Sequence, residues 1–265
     1  MQISATIVKD STTEAGKRIT TFELCYPRFI HGELMTHRVF SRNAMSSRAI
    51  PVKKVLAQVW SDPAMPVHWG ANQAGMQAKS QLKGWRKAFA RGLWRGAGKV
   101  ACVFAWGLMK LGLHKQVANR ILEPWQWMRT LVTATEWDNF YELRNHEDAQ
   151  PEFRVLAVRM RTEMDISVPQ VLLVGEWHLP YVESKQAGQE LLNCKLSAAR
   201  CARVSYLTHD GKNPDEVKDL ALFERLAGSR PLHASPLEHQ GSPGDVSWGN
   251  FVGWTQYRKL WEMKV

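Results

Sequence analysis

Ile3, Ala5 and Ile7 alternate with polar neighbours, and Ile19 and Thr21 repeat the alternation before Phe22 and Leu24, with a polar stretch containing Gly16 in between. Period-two patterning on both sides of such a loop predicts a β-hairpin. Pro27 then opens a segment in which Phe29, Ile30, Leu34 and Met35 share one helical face, so that His37 and Arg38 fall where this helix gives way to a loop. Residues 62–75 carry Pro63, Pro66, Gly70 and Gly75 and predict an irregular excursion. Residues 77–120 are compatible with helix, with Trp85, Phe89, Leu93, Val103, Leu108 and Leu111 as candidate core positions. The most apolar stretch, 100–109, reads as a buried helix, far shorter than the roughly 20 residues a spanning helix needs. Two more helices are predicted over 133–144 and 150–164, the second favoured by Pro151 in its first turn. A short extended piece over 171–174 leads to a loop at 175–180. Residues 201–206 suggest a strand or a helix-to-strand junction, 216–226 a helix and 228–236 its exit loop. No repeat, low-complexity tract or linker divides the chain. The pattern predicts one α/β (α+β) domain, its mixed or antiparallel sheet flanked by helices, with residues 77–120 as a helical insertion.

Composition narrows the function classes less than the pattern narrows the fold. A formal charge of +10 on 265 residues fits a partner with negative charge, whether a nucleic acid, a membrane surface or a small phosphorylated substrate. Cys25, Cys102, Cys194 and Cys201 are widely spaced and form no Cys-x-x-Cys pair. Neither a zinc knuckle nor a disulfide framework is suggested, and a reducing, cytoplasmic setting fits best. The N-terminus reaches Lys9 and Asp10 without the apolar core of a secretory signal.

The candidate chemistry sits in the run Thr36-His37-Arg38-Val39-Phe40-Ser41-Arg42-Asn43-Ala44-Met45-Ser46-Ser47-Arg48. Guanidinium groups bind phosphate in a bidentate fashion and hydroxyls complete the shell, so this density of donors suits a phosphate and a polar ring. A solvated basic helix end explains the same composition equally well.

The run resembles the Arg-His-Arg-x-x-Ser-x-Asn-Glu-x-Ser-x-Arg signature of flavin-dependent thymidylate synthases, through His37, Arg38, Ser41, Asn43, Ser46 and Arg48. Thr36 replaces the first Arg, Ala44 replaces the Glu, and Glu33 stands where the family usually has a Gln. A second element, Asn139-Phe140 with Leu143-Arg144 and then Ala149-Gln150-x-Glu152, is similar to the family's helix pair; Thr133, Thr135 and Asp148 depart from its Asn, Arg and His. A third, Ala202-Arg203-Val204-Ser205 with His233-Ala234-Ser235-Pro236-Leu237-Glu238-His239, resembles two elements that in the family precede the Arg-His-Arg run. That order implies a circularly permuted chain of phage type, a change tolerated where the original termini lie close together.

The resemblance implies one-carbon transfer from methylenetetrahydrofolate to C5 of a pyrimidine deoxynucleotide, dUMP to dTMP, with FAD as cofactor and NADPH as reductant. Arg144 and Ser46 would be catalytic. Glu33, Met45, Ser46, Ser47, Arg48, Arg144, Gln256 and Arg258 would bind the nucleotide, and Arg120 would reach it from a neighbouring subunit. His37, Arg38, Val39, Asn43, Asn139, His233, Ser235 and Glu238 would hold flavin. The family also implies a cytoplasmic homotetramer with shared active sites, with no membrane or nucleic-acid partner. The His233/Glu238/His239 group lacks the His-x-x-x-His pairing of a metal helix, and no metal is expected. Two other readings stay open: a sister reaction on dCMP or giving a 5-hydroxymethyl product, because Glu33 turns an amide into an acceptor-only group, and a non-catalytic nucleic-acid-binding relative, for which aromatic and cationic side chains are suited.

Overall fold

The computed structural model describes residues 1–183, 188–204, 215–228, 230–244 and 249–263. The predicted hairpin is present as β1 (Ser4–Thr13) and β2 (Arg18–Pro27), paired antiparallel, with Gly16 in the positive-φ conformation that its turn requires. A 3-10 turn (Arg28–Ile30) and a short helix α1 (His31–Leu34) follow, and then β3 (Ser41–Ala44). β4 (Trp127–Ala134) lies between β2 and β3, antiparallel to both, and β5 (Gln170–Leu172) adds a parallel edge beside β1. The resulting order is β3-β4-β2-β1-β5, a mixed five-stranded sheet in an α+β fold.

β4 corrects the helix expected over 133–144. Its residues are buried on both faces, polar Thr130 and Thr133 included, so the sequence carries no period-two alternation of apolar and polar positions. The helix starts later, as α5 (Asp138–Arg144). The second helix of this pair, α6 (Pro151–Ile166), forms as expected, with Pro151 in its first turn and the Gln150 side chain accepting from the Phe153 N–H. Glu152, buried at the same end, accepts from the Val67 N–H at 2.6 Å and pins the irregular 62–75 excursion to α6.

One sheet face builds the main core: Phe22, Leu24 and Tyr26 of β2 pack with Phe140, Phe153, Leu156 and Met160 of α5 and α6. Each such side chain contributes roughly 1.5–3 kcal/mol on burial. The opposite face meets α7 (Glu190–Arg203), where Leu131 packs on Cys201 and Val204. Helix therefore continues through Cys201 to Arg203; Ser205 and Tyr206 lie outside the described residues. α8 (Glu216–Ala227) forms where expected, and Asp219, 1% exposed, binds Arg200 and Arg203 of α7. A small sheet of β6 (Gly241–Pro243) and β7 (Trp254–Gln256) leads into the final helix α9 (Tyr257–Glu262).

The segment 77–120 departs most from expectation. Its helix, α3 (Gly84–Lys110), presents only Gly98, Cys102 and Ala105 as buried positions, against α2 (Val52–Ser61) and Trp125. Small residues let α3 approach closely, since a Cβ on Gly98 would meet the Trp125 ring at 3.1 Å. Trp85, Phe89, Leu93, Val103 and Leu111, expected in the core, are exposed, Leu108 is half-buried, and the stretch 100–109 is not a buried helix. The chain continues through α4 (Lys115–Ala118) and a 3-10 stretch (Asn119–Trp125) into β4.

Candidate active site

The last turn of α5 meets the C-terminal end of α1 at one side chain, Arg144. Its Nε donates to His37 Nε2 at 2.9 Å, one terminal nitrogen to Glu33 Oε2 at 3.0 Å and the other to Thr36 Oγ1 at 3.4 Å. The guanidinium also lies over the Phe153 ring, 4.6 Å from its centroid. Four contacts from three elements therefore fix one plane, which a flexible ammonium cannot replicate. His37 is buried among Phe40, Phe140 and Phe153. Burial, then Arg144 and Arg42, bring its pKa down to about 4. The ring is neutral at physiological pH, with Nε2 accepting and Nδ1 carrying the proton. Arg42 is spent on structure: it donates to the carbonyls of Leu34, Met35 and His37 and caps the end of α1. Glu33 and Arg144 line a cleft of about 1100 Å³ together with Phe29, Trp94, His146 and Glu152.

A second group forms after β3. Ser47 is buried, its hydroxyl 3.4 Å from Glu123 Oε1, and the same oxygen accepts from Arg120 at 3.2 Å and Arg28 at 2.9 Å. Asn119 donates to the carbonyls of Ser47 and Ile50 and so holds the turn that presents Ser46 and Arg48. Ser46 is half-buried and Arg48 exposed, whereas the Met45 side chain is buried in the small core beside α2.

A third group joins positions about 200 residues apart. Gln256 Nε2 donates to Ser41 Oγ at 3.2 Å, to the Glu238 carbonyl at 3.2 Å and to Asn250 Oδ1 at 2.9 Å. Asn250 in turn donates to the Val39 carbonyl at 2.7 Å. The 3-10 turn Ser235–Glu238 thus sits against β3, and Arg258 forms an ion pair with the Glu238 carboxylate. Asn43, on the same strand, donates to the Cys201 carbonyl at 2.6 Å. Arg38, Arg48, Asn139, His233 and Ser235 are exposed and bond to none of the other predicted residues among those described. The described residues hold no group of three or more His, Cys, Asp or Glu placed to bind a metal ion.

Behind this surface runs a buried polar chain that the motifs do not predict. Ser11 Oγ meets His178 Nδ1 at 3.0 Å, His178 Nε2 meets Thr21 Oγ1 at 2.8 Å, Thr21 meets Thr133 at 2.7 Å, and Thr133 meets His239 Nδ1 at 2.8 Å. All five are buried, His239 Nε2 has no partner among the described residues, and burial lowers both histidines, His239 to about 3. Both imidazoles stay neutral and fasten the 239–241 segment to the sheet. The available signal was a histidine set inside the apolar Trp177–Pro180 stretch and another closing the third motif.

The model of the family described as thymidylate synthase complementing protein matches residues 12–170, more than half of the chain. That range holds the first two motifs, and the third lies beyond it. Among solved structures, the UMP/dUMP methylase PolB from Streptomyces cacaoi bound with 5-Br dUMP is 20% identical with a TM-score of 0.46, covering 56% of this chain and 66% of that one. The same methylase bound with 5-Br UMP is 18% identical with a TM-score of 0.49, over 62% and 88% of the respective chains. No curated protein matches in sequence.

Proposed function

The chain belongs to the thymidylate synthase complementing protein family, and on that premise we propose that it transfers a one-carbon unit from methylenetetrahydrofolate to C5 of a pyrimidine deoxynucleotide, converting dUMP to dTMP. The observation that carries this reading is Arg144, held rigid by Glu33, His37, Thr36 and Phe153 at the edge of a large cleft. A fixed guanidinium stabilises negative charge developing on the pyrimidine ring at no cost of reorganisation. Ser46, Ser47 and Arg48 bind the nucleotide phosphate in this reading, with Arg120 acting across a subunit boundary of a homotetramer. Arg258 and Gln256 lie on the third motif's side of the site, where their bonds to Glu238 and Ser41 make them supports of the binding surface.

The donor chemistry of the residues that the resemblance assigns to the cofactor fits a flavin dinucleotide. Exposed Arg38, Asn139, His233 and Ser235 offer the cationic and hydrogen-bonding groups that a pyrophosphate and a ring edge call for, and in this reading Val39, Asn43, His37 and Glu238 complete the flavin site. FAD, when bound, supplies the redox chemistry, with NADPH as reductant. The packing of the Ser235–Glu238 turn against β3 supports a permuted chain whose third motif returns to the site.

A second reading is favoured by one observation, the Glu33–Arg144 ion pair at 3.0 Å. An arginine already neutralised by a carboxylate is less able to stabilise an ionised uracil. A cytosine needs no ionisation at N3, and its amino group donates to an acceptor-only carboxylate. Incubating the flavin-loaded protein with methylenetetrahydrofolate, NADPH and either dUMP or dCMP, and weighing the products, decides between them. A methylated dUMP supports the first reading, and a modified dCMP alone supports the second. No flavin uptake and no nucleotide product removes both and favours a non-catalytic relative.

A further inference from the structure

The charge of this protein is not spread over it. Residues 63–122 contain ten Lys and Arg and no Asp or Glu; removing those ten from the chain's 35 cations leaves 25, against 25 anions in the remainder. The whole formal charge of +10 thus belongs to the segment centred on α3. On that helix Trp85, Phe89, Leu93, Val100 and Phe104, and Leu111 at its C-cap, are each more than half exposed. At about 100° per residue they fall within a stripe roughly 100° wide, on the side away from Gly98, Cys102 and Ala105. Arg91, Arg95 and Lys99 repeat every fourth residue and turn from the face opposite the stripe toward one of its flanks, where Lys99 lies, and Arg86 marks the other flank. Cations rest on the aromatic rings at both ends, Arg86 over Trp85 at 5.8 Å and Lys110 over Trp106 at 5.5 Å.

We propose that the outer face of α3 docks on the surface of an anionic lipid bilayer, lying in its interface with the apolar stripe inward and the basic flanks at headgroup level. Charge complementarity selects this occupant. A second copy presenting the same face would oppose two segments that carry only cations. A nucleic acid would satisfy the cations and leave the Trp, Phe and Leu stripe in water, whereas an anionic interface takes both. The helix lies on the bilayer and does not cross it, since no described helix is long and apolar enough to span. A membrane partner is not what the family resemblance implies.

The test is co-sedimentation of the full chain with vesicles of phosphatidylglycerol and of phosphatidylcholine, alongside the double variant F89S/F104S and the triple variant R91Q/R95Q/K99Q. Binding to the anionic vesicles, at least about tenfold weaker to the zwitterionic ones and weakened to a similar degree in each variant and by added salt, is the expected result. Circular dichroism and retained dUMP binding identify folded variants. Equal binding to both vesicles or to neither overturns the proposal. So does a double variant that binds vesicles normally but has lost its oligomeric state, which assigns the stripe to a second copy. Binding to single-stranded oligonucleotide that competes with vesicles and is unaffected by F89S/F104S assigns the segment to nucleic acid.

Discussion

The surroundings of Arg144 and the outer face of α3 both concentrate arginine, and they use it in opposite ways. At Arg144 the guanidinium is balanced by Glu33, directed by His37 and Thr36 and stacked on Phe153. Along α3 the cations have no acid anywhere in their segment and stand beside exposed aromatic rings. A charge whose neighbours are fixed acts at short range on a group bound in one orientation. Charges left unbalanced on a surface act at long range and without orientation, and are screened within about 8 Å at physiological salt. The first arrangement suits chemistry and the second suits docking.

Truncating matched aromatics separates the two regions most sharply. Phe153→Ala, in the main core beneath Arg144, is expected to cost about 3–5 kcal/mol in urea unfolding, while Phe104→Ala on α3 stays within about 0.5 kcal/mol. A comparable loss from both would mean that the α3 stripe is core after all.

Arg144→Ala is expected to lower kcat/KM for the nucleotide by about 10²–10³-fold. Arg144→Lys recovers little of this, because an ammonium cannot make the forked contacts to Glu33 and His37 together. Arg95→Ala on α3 leaves kcat/KM unchanged within about twofold.

Acid titration gives a smaller, graded effect. His31, His37, His178 and His239 all have pKa values lowered by burial, the first two to about 4 and His239 to about 3. In the unfolded chain they titrate near 6.5, so between about 6.5 and 4 the unfolded state binds more protons and stability falls as pH falls. The stability they contribute is complete above about 6.5. His239→Gln, whose amide can donate to or accept from Thr133, is expected to flatten part of the decline in melting temperature across that window. An unchanged slope would remove His239 from the account.

Local rules carried much of the fold. Alternation located the hairpin, and Pro151 located the start of α6, where the structure adds the Gln150 cap. The resemblance located Arg144 and His37, and the structure brings them into hydrogen-bond contact 107 residues apart. Two kinds of information were missing. β4 is buried on both faces, so its sequence lacks period two and its end merges with the helical composition of α5. α3 carries two stripes that each fit a buried face, one large and apolar, one small. Tertiary approach chose the small one, because Gly98, Cys102 and Ala105 let the helix close on Trp125 and α2. The His178–Thr21–Thr133–His239 chain was invisible for the same reason: its members come from four separate parts of the sequence, and only the sheet aligns them.

The central claim, that the balanced guanidinium site performs one-carbon transfer, is tested most directly by the mass of the nucleotide recovered after incubation with FAD, NADPH and methylenetetrahydrofolate. The account predicts a pyrimidine deoxynucleotide heavier by the transferred one-carbon unit with the unmodified chain, and almost none with Arg144→Ala. Unaltered dUMP and dCMP from a folded, flavin-loaded protein would contradict it.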